Sequence, residues 1–271
     1  MLLVNKKLRE WTGASAKVKR LEGESEAEYF ERIAPTRWDR YISGIEQRAI
    51  MAAHGYVPSP SVVLDIGAGI GRWSQVLSRL GWKLVCTDVD AKSLAICQRR
   101  TPGGTCLLVT PNAQTLPVAN GSCGMIICME VHHVVAATWF VDEVSRVLVP
   151  SGLLVGVCGN RRSLRGIFKH AFDRAHGPKK PDHYSTSYPL LKKKLIAKGF
   201  ELLREEGLCW LPFSRSSNSR LIDPLATLER RLGLNRLPDL SPWVVFVARK
   251  LPSTHVAQQG LANREMPVGP T

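Results

Sequence analysis

The chain predicts an α/β fold built on an open, mostly parallel sheet, and three observations carry the prediction. Short β-branched and aliphatic runs alternate with helix-compatible segments from Val62 to Lys250, the pattern of strands crossed by helices. Runs such as Val62-Val63-Leu64 and Leu153-Leu154-Val155 are continuously apolar, as strands buried on both faces are. Gly67-Ala68-Gly69-Ile70-Gly71 follows the first run at once. Glycines there let the backbone turn tightly and approach a ligand at the mouth of the first strand, the usual crevice of open α/β sheets. A chain of 271 residues has room for two small domains, but the unbroken alternation favours one with appendages.

Taken in order, a helical segment spans Glu24 to Ile33, broken by Pro35, and a second spans Trp38 to Ala53. The first strand ends at Asp65 and Ile66, and a helix runs from Trp73 to Leu80. The glycine spacing is informative. A dinucleotide fingerprint reads G-x-G-x-x-G, whereas here the third glycine arrives one residue early, at Gly71, and Arg72 takes the dinucleotide position. Asp65, two residues before Gly67, would repel a pyrophosphate and suits a nucleotide carrying an amino group and a sulfonium. The second strand, Lys83 to Thr87, ends at Asp88, twenty-one residues after Gly67. An acid at that distance accepts from ribose hydroxyls. Asp90 precedes a helix from Ala91 to Arg100, so N-capping is its expected role. Strand four runs from Gly124 to Met129, strand five from Leu153 to Cys158, and a helix from Tyr188 to Lys198 ends at Gly199. Phe200 to Leu211 reads as strand six and Trp243 to Ala248 as strand seven.

At this point the chain resembles the class I S-adenosylmethionine-dependent methyltransferases, and most closely their small-molecule and quinone-type group. The resemblance covers about residues 25 to 250 and rests on segments in order. They are Tyr29 to Pro35, Leu64 to Gly71, Asp88-Val89-Asp90, Asn112 to Pro117, Gly121-Ser122, Glu130-Val131-His132-His133-Val134 and Glu143 to Gly152. It implies a Rossmann-like, seven-stranded, mostly parallel sheet with helices on both faces, helical lid elements and an antiparallel strand seven. The implied cofactor is S-adenosyl-L-methionine, with S-adenosyl-L-homocysteine as product, held by Asp65, Gly67, Ala68, Gly69, Gly71, Asp88, Val89, Asn112, Ala113 and Met129. Asn112 stands where the family usually has aspartate, but its amide keeps a carbonyl acceptor. Cys123-Gly124 replaces the family's Phe-Asp. Tyr29, Arg37, Trp38 and Tyr41 either fold over bound cofactor, as the N-terminal segment of such enzymes does, or pack in the core.

Composition narrows the partner. Net charge is +14, and residues 161–250 hold 19 basic against 8 acidic side chains, +11 of the total. On the implied topology the long connections 159–187 and 212–242 both leave the edge where ligands bind in open α/β sheets, and loops this long are usually lids or binding elements. Within the first, Leu164, Ile167, Phe168, Ala171 and Phe172 fall at i, i+3, i+4, i+7 and i+8, an amphipathic stripe. It is expected to close over the acceptor pocket; the alternative is a peripheral contact of 161–175 with an anionic membrane. Lys192-Lys193-Lys194 reads as a solvated face. The second connection carries a helix from Pro224 to Leu232.

Seven cysteines, with no C-x-x-C pair, read as small buried apolar residues. Neither a metal site nor a disulfide framework is expected, and a reducing cytoplasm is. The N-terminus reads as lacking a signal peptide, and no apolar run approaches the ~18 residues of a membrane span. Residues 1–58 are read as an N-terminal helical segment and cofactor lid, 59–250 as the cofactor-binding domain, and 251–271 as a disordered tail.

Methyl transfer from a sulfonium is an in-line displacement, and a base is needed only if the acceptor keeps its proton until attack. The candidates after strand four are Glu130, His132 and His133, with His133 first because an imidazole titrates near neutrality; packing or helix capping is the competing role. A small-molecule or lipid acceptor, anionic or membrane-associated, is the leading expectation. An RNA acceptor bound by the basic third is the alternative, weakened by the lack of an Asp/Asn-Pro-Pro-aromatic motif or a Pro-Cys nucleophile.

Overall fold

The computed structural model describes Tyr29, Arg32 and residues 36–177, 184–211, 213–214 and 216–252. The expected helix from Glu24 to Ile33, apart from Tyr29 and Arg32, and the expected tail beyond Pro252 lie outside the described residues.

Seven strands form one sheet in the order β3-β2-β1-β4-β5-β7-β6. They are β1 (Val62–Ile66), β2 (Lys83–Asp88), β3 (Thr105–Leu108), β4 (Cys123–Cys128), β5 (Leu148–Gly159), β6 (Phe200–Leu208) and β7 (Trp243–Lys250). Strands β1 to β5 pair in parallel, and β7 runs antiparallel between β5 and β6. The C-terminal ends of β1 to β6 therefore share one edge. The helices are α1 (Arg37–Gly55), α2 (Arg72–Arg79), α3 (Ala91–Arg100), α4 (His132–Val135), α5 (Phe140–Val147), α6 (Leu164–His176), α7 (Tyr188–Ala197) and α8 (Ile222–Arg231).

All six residues of β4 are buried, and successive side chains feed opposite layers, as the period of two demands. Met125 and Ile127 pack with Trp38, Ile42, Leu77 and Cys97 under α1, α2 and α3. Ile126 and Cys128 pack with Phe140, Val144, Tyr188 and Leu195 under α5 and α7.

Two strands differ from the expected bounds by three residues or more, each for a local reason. Strand β5 starts early because Leu148 pairs with Cys123 before a register shift, and Ser151 adopts φ +64° at the irregularity. Strand β6 stops at Leu208 because Cys209 turns left-handed, φ +65°, and its N–H is taken by the Tyr41 hydroxyl at 3.2 Å. The strand's period of two is interrupted there, so Trp210 and Leu211 leave the ladder.

Candidate active site

The site begins where β1 leaves the sheet. Gly67 and Ala68 donate to the Thr87 carbonyl at 2.8 and 2.9 Å, which ties the turn to the end of β2. Gly69 donates to Asp88 Oδ2 at 2.7 Å, and Gly71 to the Ala68 carbonyl at 2.9 Å. All three glycines have positive φ: +70°, +54° and +80°. Their surroundings differ. A Cβ on Gly71 would stand 2.7 Å from Cys97 Sγ, and one on Gly67 2.4 Å from a Val131 methyl. One on Gly69 would meet nothing within 4 Å. Two glycines thus fit the turn against its neighbours, and the third leaves open space in front of the backbone.

Asp65 is 3% exposed, and its carboxylate accepts from the Ser74 hydroxyl on α2. Burial pushes its pKa up to about 7, against a downward pull from Ser74. The carboxyl lies beneath the turn, deeper than a strand-tip residue would be. Asp88 is half-buried, and Oδ1 accepts from Asp90 N at 2.8 Å. Its two oxygens are therefore oriented by backbone donors, while each keeps further acceptor capacity. Asp90 caps α3 as expected, accepting from Lys92 N and Ser93 N at 3.2 and 3.3 Å.

Beyond Asp88 the site has apolar walls. Val89 is 52% exposed, and Leu108 is 60% exposed. Leu108 is the register partner of Asp88 in the β2–β3 pair. An exposed aliphatic on each of two adjacent strand ends suits the flat face of a heterocycle. Leu108 was absent from the expected set, because only the register reveals it as the neighbour of Asp88. Asn112 is exposed and Ala113 half-buried in the loop that follows β3. Arg146 holds that loop: it donates to the Leu116 and Val118 carbonyls at 3.0 and 2.9 Å and to both Glu143 oxygens. Glu143 in turn accepts from Leu116 N at 2.7 Å.

Strand β4 delivers the remaining candidates. Met129 is buried at the strand end, and Glu130 follows with φ +61°. A left-handed non-glycine residue costs of order 1–3 kcal/mol, and such residues concentrate at functional sites. Val131 then packs on Gly67, so the exit of β4 and the glycine turn are in direct contact. The two histidines part company at the start of α4. His132 is 5% exposed and packs on Trp243, ring centroids 4.6 Å apart. His133 is exposed. Position on the edge therefore fits both, but solvent access belongs to His133.

The N-terminal residues divide in the same way. Trp38 is 3% exposed and stacks on Tyr41 at 4.8 Å and against Phe213 at 5.3 Å. The Tyr41 hydroxyl donates to Glu229 at 2.8 Å, and Arg37 pairs with Asp223. These three join α1 to the second long connection, which is a packing role. A link to the turn comes instead from Arg72, whose guanidinium reaches the buried Asp39 at 3.1 Å.

Asn160, fully buried at the end of β5, roots both long connections. Its amide donates to the Asp239 and Ser241 carbonyls at 2.8 and 3.1 Å, and its Oδ1 accepts from Arg162 N and Tyr188 N. Helix α6 follows, capped by Ser163 Oγ on Gly166 N at 3.0 Å. It sits with its polar side inward. Arg165 donates to the Cys209 and Leu211 carbonyls, and Gly166 lies against the Asn160 and Arg161 carbonyls. The apolar stripe faces outward: Leu164, Ile167 and Phe168 are 70%, 55% and 72% exposed. This corrects the expectation that the stripe closes over an acceptor pocket. Periodicity located the stripe, but the small Gly166 and the reach of Arg165 decide which side meets the domain.

Residues 64–156 match a family model described as a methyltransferase domain. An uncharacterized methyltransferase-like protein of Schizosaccharomyces pombe is 24% identical over 160 residues, 59% of this chain and 60% of that protein. An uncharacterized methyltransferase of Mycobacterium bovis is 32% identical over 103 residues, 38% of this chain and 41% of that protein. The chain thus spans less than two thirds of the length of these curated relatives. A crystal structure of a SAM-dependent methyltransferase from Methanosarcina mazei shares the fold, with a TM-score of 0.52 at 18% identity, covering 74% of this chain and 97% of that one.

Proposed function

We propose that this chain, whose residues 64–156 match a methyltransferase domain, is a class I S-adenosylmethionine-dependent enzyme that moves the methyl group of S-adenosyl-L-methionine to a small-molecule or lipid-like acceptor, anionic or held at a membrane surface. The open space before Gly69, a cradle that a Cβ would fill, supports the cofactor's place. Gly67, Ala68, Gly69 and Gly71 would carry its amino-acid end past the turn, and Asp88 the ribose hydroxyls. Val89, Ala113 and Leu108 would flank the base, with Asn112 accepting from its amino group and Met129 beneath the reacting end. Asp65 would stand behind the turn, beneath the cofactor's amino-acid end. When bound, the cofactor supplies a methyl group already activated on a sulfonium. The protein's own share is then orientation and exclusion of water. Where the acceptor keeps a proton, His133 is the first candidate to take it, with Glu130 and His132 behind it.

The observation that carries the acceptor class is the outward stripe of α6. Three large apolar side chains are exposed on the edge that holds the cofactor turn, beside the exposed Arg161, Arg162 and Arg174. An apolar face rimmed by cations suits an anionic lipid surface. Among the described residues no helix is long and apolar enough to cross a membrane, so the contact would be peripheral.

Incubation with methyl-labelled S-adenosyl-L-methionine and whole-cell extract, fractionated by class, tests the proposal. Label is expected in the lipid or small-metabolite fraction. Label in RNA would overturn the acceptor class, and cofactor binding without any labelled product would overturn the activity. Sedimentation with vesicles tests the surface: binding is expected to anionic but not neutral vesicles and to weaken several-fold in Phe168→Ser.

A further inference from the structure

Three cysteines that are far apart in sequence converge behind the cofactor turn. Cys86 on β2 and Cys106 on β3 are register partners across a parallel pair, so they point to the same face of the sheet. Helix α3 packs over that face and brings Cys97 between them. The three Sγ atoms all lie within 4.8 Å of one another. Cys86 and Cys97 are fully buried, and Cys106 is partly exposed.

We propose that Cys86, Cys97 and Cys106 form a binding site for a thiophilic cation of the Zn(II) or Cu(I) class, and that its occupancy weakens cofactor binding. Soft thiolate ligands select these ions. With metal–sulfur bonds of about 2.3 Å, sulfurs sit about 3.8 Å apart in a tetrahedral site and about 4.0 Å apart in a trigonal one. The thiols need therefore contract by no more than about 1 Å. Binding replaces the three thiol protons, which leave to the buffer, and forms three metal–sulfur bonds. Cys106 provides the entry, since one of its sides reaches solvent. The Ser74 hydroxyl, 3.3 Å from Cys86 Sγ, or a water at Cys106 completes a fourth position. Buried thiols otherwise serve as small apolar residues; three of them facing one point is what separates this cluster from Cys123, Cys128, Cys158 and Cys209.

The coupling follows from what the thiols touch, and it rests on the methyl-donor reading above. Gly71 lies directly on Cys97, and Ser74 joins Cys86 to Asp65. Contraction of the sulfurs shifts the support of the turn. A Zn(II) ion with three thiolates also adds one net negative charge to the site itself and breaks the Cys86 donation to Ser74. The displaced turn is the change expected to dominate.

Titration of the reduced full chain with Zn²⁺ against a chromophoric chelator tests the site without any cofactor. One ion per chain is expected, with a thiolate charge-transfer band when Cd²⁺ replaces Zn²⁺. Cys106→Ser, a change at a partly exposed position, is expected to weaken binding at least tenfold, whereas Cys158→Ala on the opposite face of the sheet leaves it unchanged. Binding well below one equivalent, no thiolate band, or full affinity in Cys106→Ser would overturn the metal site. Cofactor affinity is then measured with and without Zn²⁺, and a rise in Kd of about 5-fold or more is expected, absent in Cys106→Ser. An unchanged Kd overturns the coupling. Failure of the metal-free chain to bind cofactor at all refutes the methyl-donor reading and leaves the metal result standing.

Discussion

Replacing Gly69 by alanine should separate ligand binding from folding. At φ +54° an alanine pays the left-handed penalty of roughly 1–2 kcal/mol. Loss of glycine's freedom in the unfolded chain returns about 0.4–1 kcal/mol. Nothing lies within 4 Å of the added Cβ, so no packing cost joins the balance, and the fold should lose only about 1 kcal/mol. At about 2–4 °C per kcal/mol for a chain of this size, the melting temperature should fall by about 2–4 °C. The same methyl group occupies the space where the cofactor is proposed to pass. Overpacking of a close-fitting contact costs about 1–3 kcal/mol, so cofactor affinity should fall about 5- to 150-fold. Gly71→Ala provides the contrast. Its Cβ would stand 2.7 Å from Cys97 Sγ and 3.3 Å from Cys97 Cα, adding about 1–3 kcal/mol of overpacking to a similar backbone penalty. Calorimetric titration with S-adenosyl-L-methionine and thermal melts of both variants give the two quantities. Unaltered affinity in Gly69→Ala would refute the placement of the ligand, and a melting loss as large as that of Gly71→Ala would refute the reading of open space.

Asp65 predicts an unusual pH dependence. Its folded pKa of about 7 lies above the ordinary carboxylate value of 3.8, so between about pH 4 and 7 the folded state holds a proton that the unfolded state has lost. Stability should therefore fall as pH rises through that window, by up to about 4 kcal/mol for a shift near three units, and Asp65→Asn should flatten the profile in denaturant melts. Glu229, raised to about 7 by burial, titrates in the same range, so the difference between wild type and variant is the readout. Arg146→Ala removes the clamp on the loop holding Leu116 and Val118, and a loss of about 3 kcal/mol is expected, seen as a melting shift of about 6–12 °C. His133→Ala, at an exposed position, should leave the melt unchanged and lower turnover at least 100-fold; unaltered turnover would remove it as the base.

Legibility in the sequence depended on whether the signal was local. The turn from Asp65 to Gly71, the cap at Asp90 and the helix from Ala91 to Arg100 were readable because each rests on neighbours within a few residues. The seven-stranded, mostly parallel sheet and its antiparallel β7 came from family resemblance and stand in the structure. Long-range convergence was not readable. Cys86 and Cys106 become neighbours only through the β2–β3 register, and Cys97 joins them only because α3 packs over that pair. Leu108 became a wall of the site for the same reason. The Arg72–Asp39 link joins residues 33 positions apart, and nothing in either segment announces the other.

Helix α6 shows why an amphipathic period leaves orientation open. A stripe at i, i+3 and i+4 states that one face is apolar, and burial of that face is the usual outcome because each large side chain gains about 1.5–3 kcal/mol by leaving water. Here Leu164, Ile167 and Phe168 forgo that gain. The opposite face is fixed by specific polar contacts: the Ser163 cap, the two bonds from Arg165 to carbonyls beyond β6, and Gly166, where a Cβ would stand 2.5 Å from the Asn160 and Arg161 carbonyls. A helix anchored by those contacts presents its apolar side outward as a consequence of its seating. The two demands are met together if that side is covered by another surface during use, and the neighbouring arginines make an anionic one the better complement. Substituting Gly166 would test the seating independently of any lipid, since an alanine there must push the helix off Asn160 and with it the stripe that the vesicle assay reads.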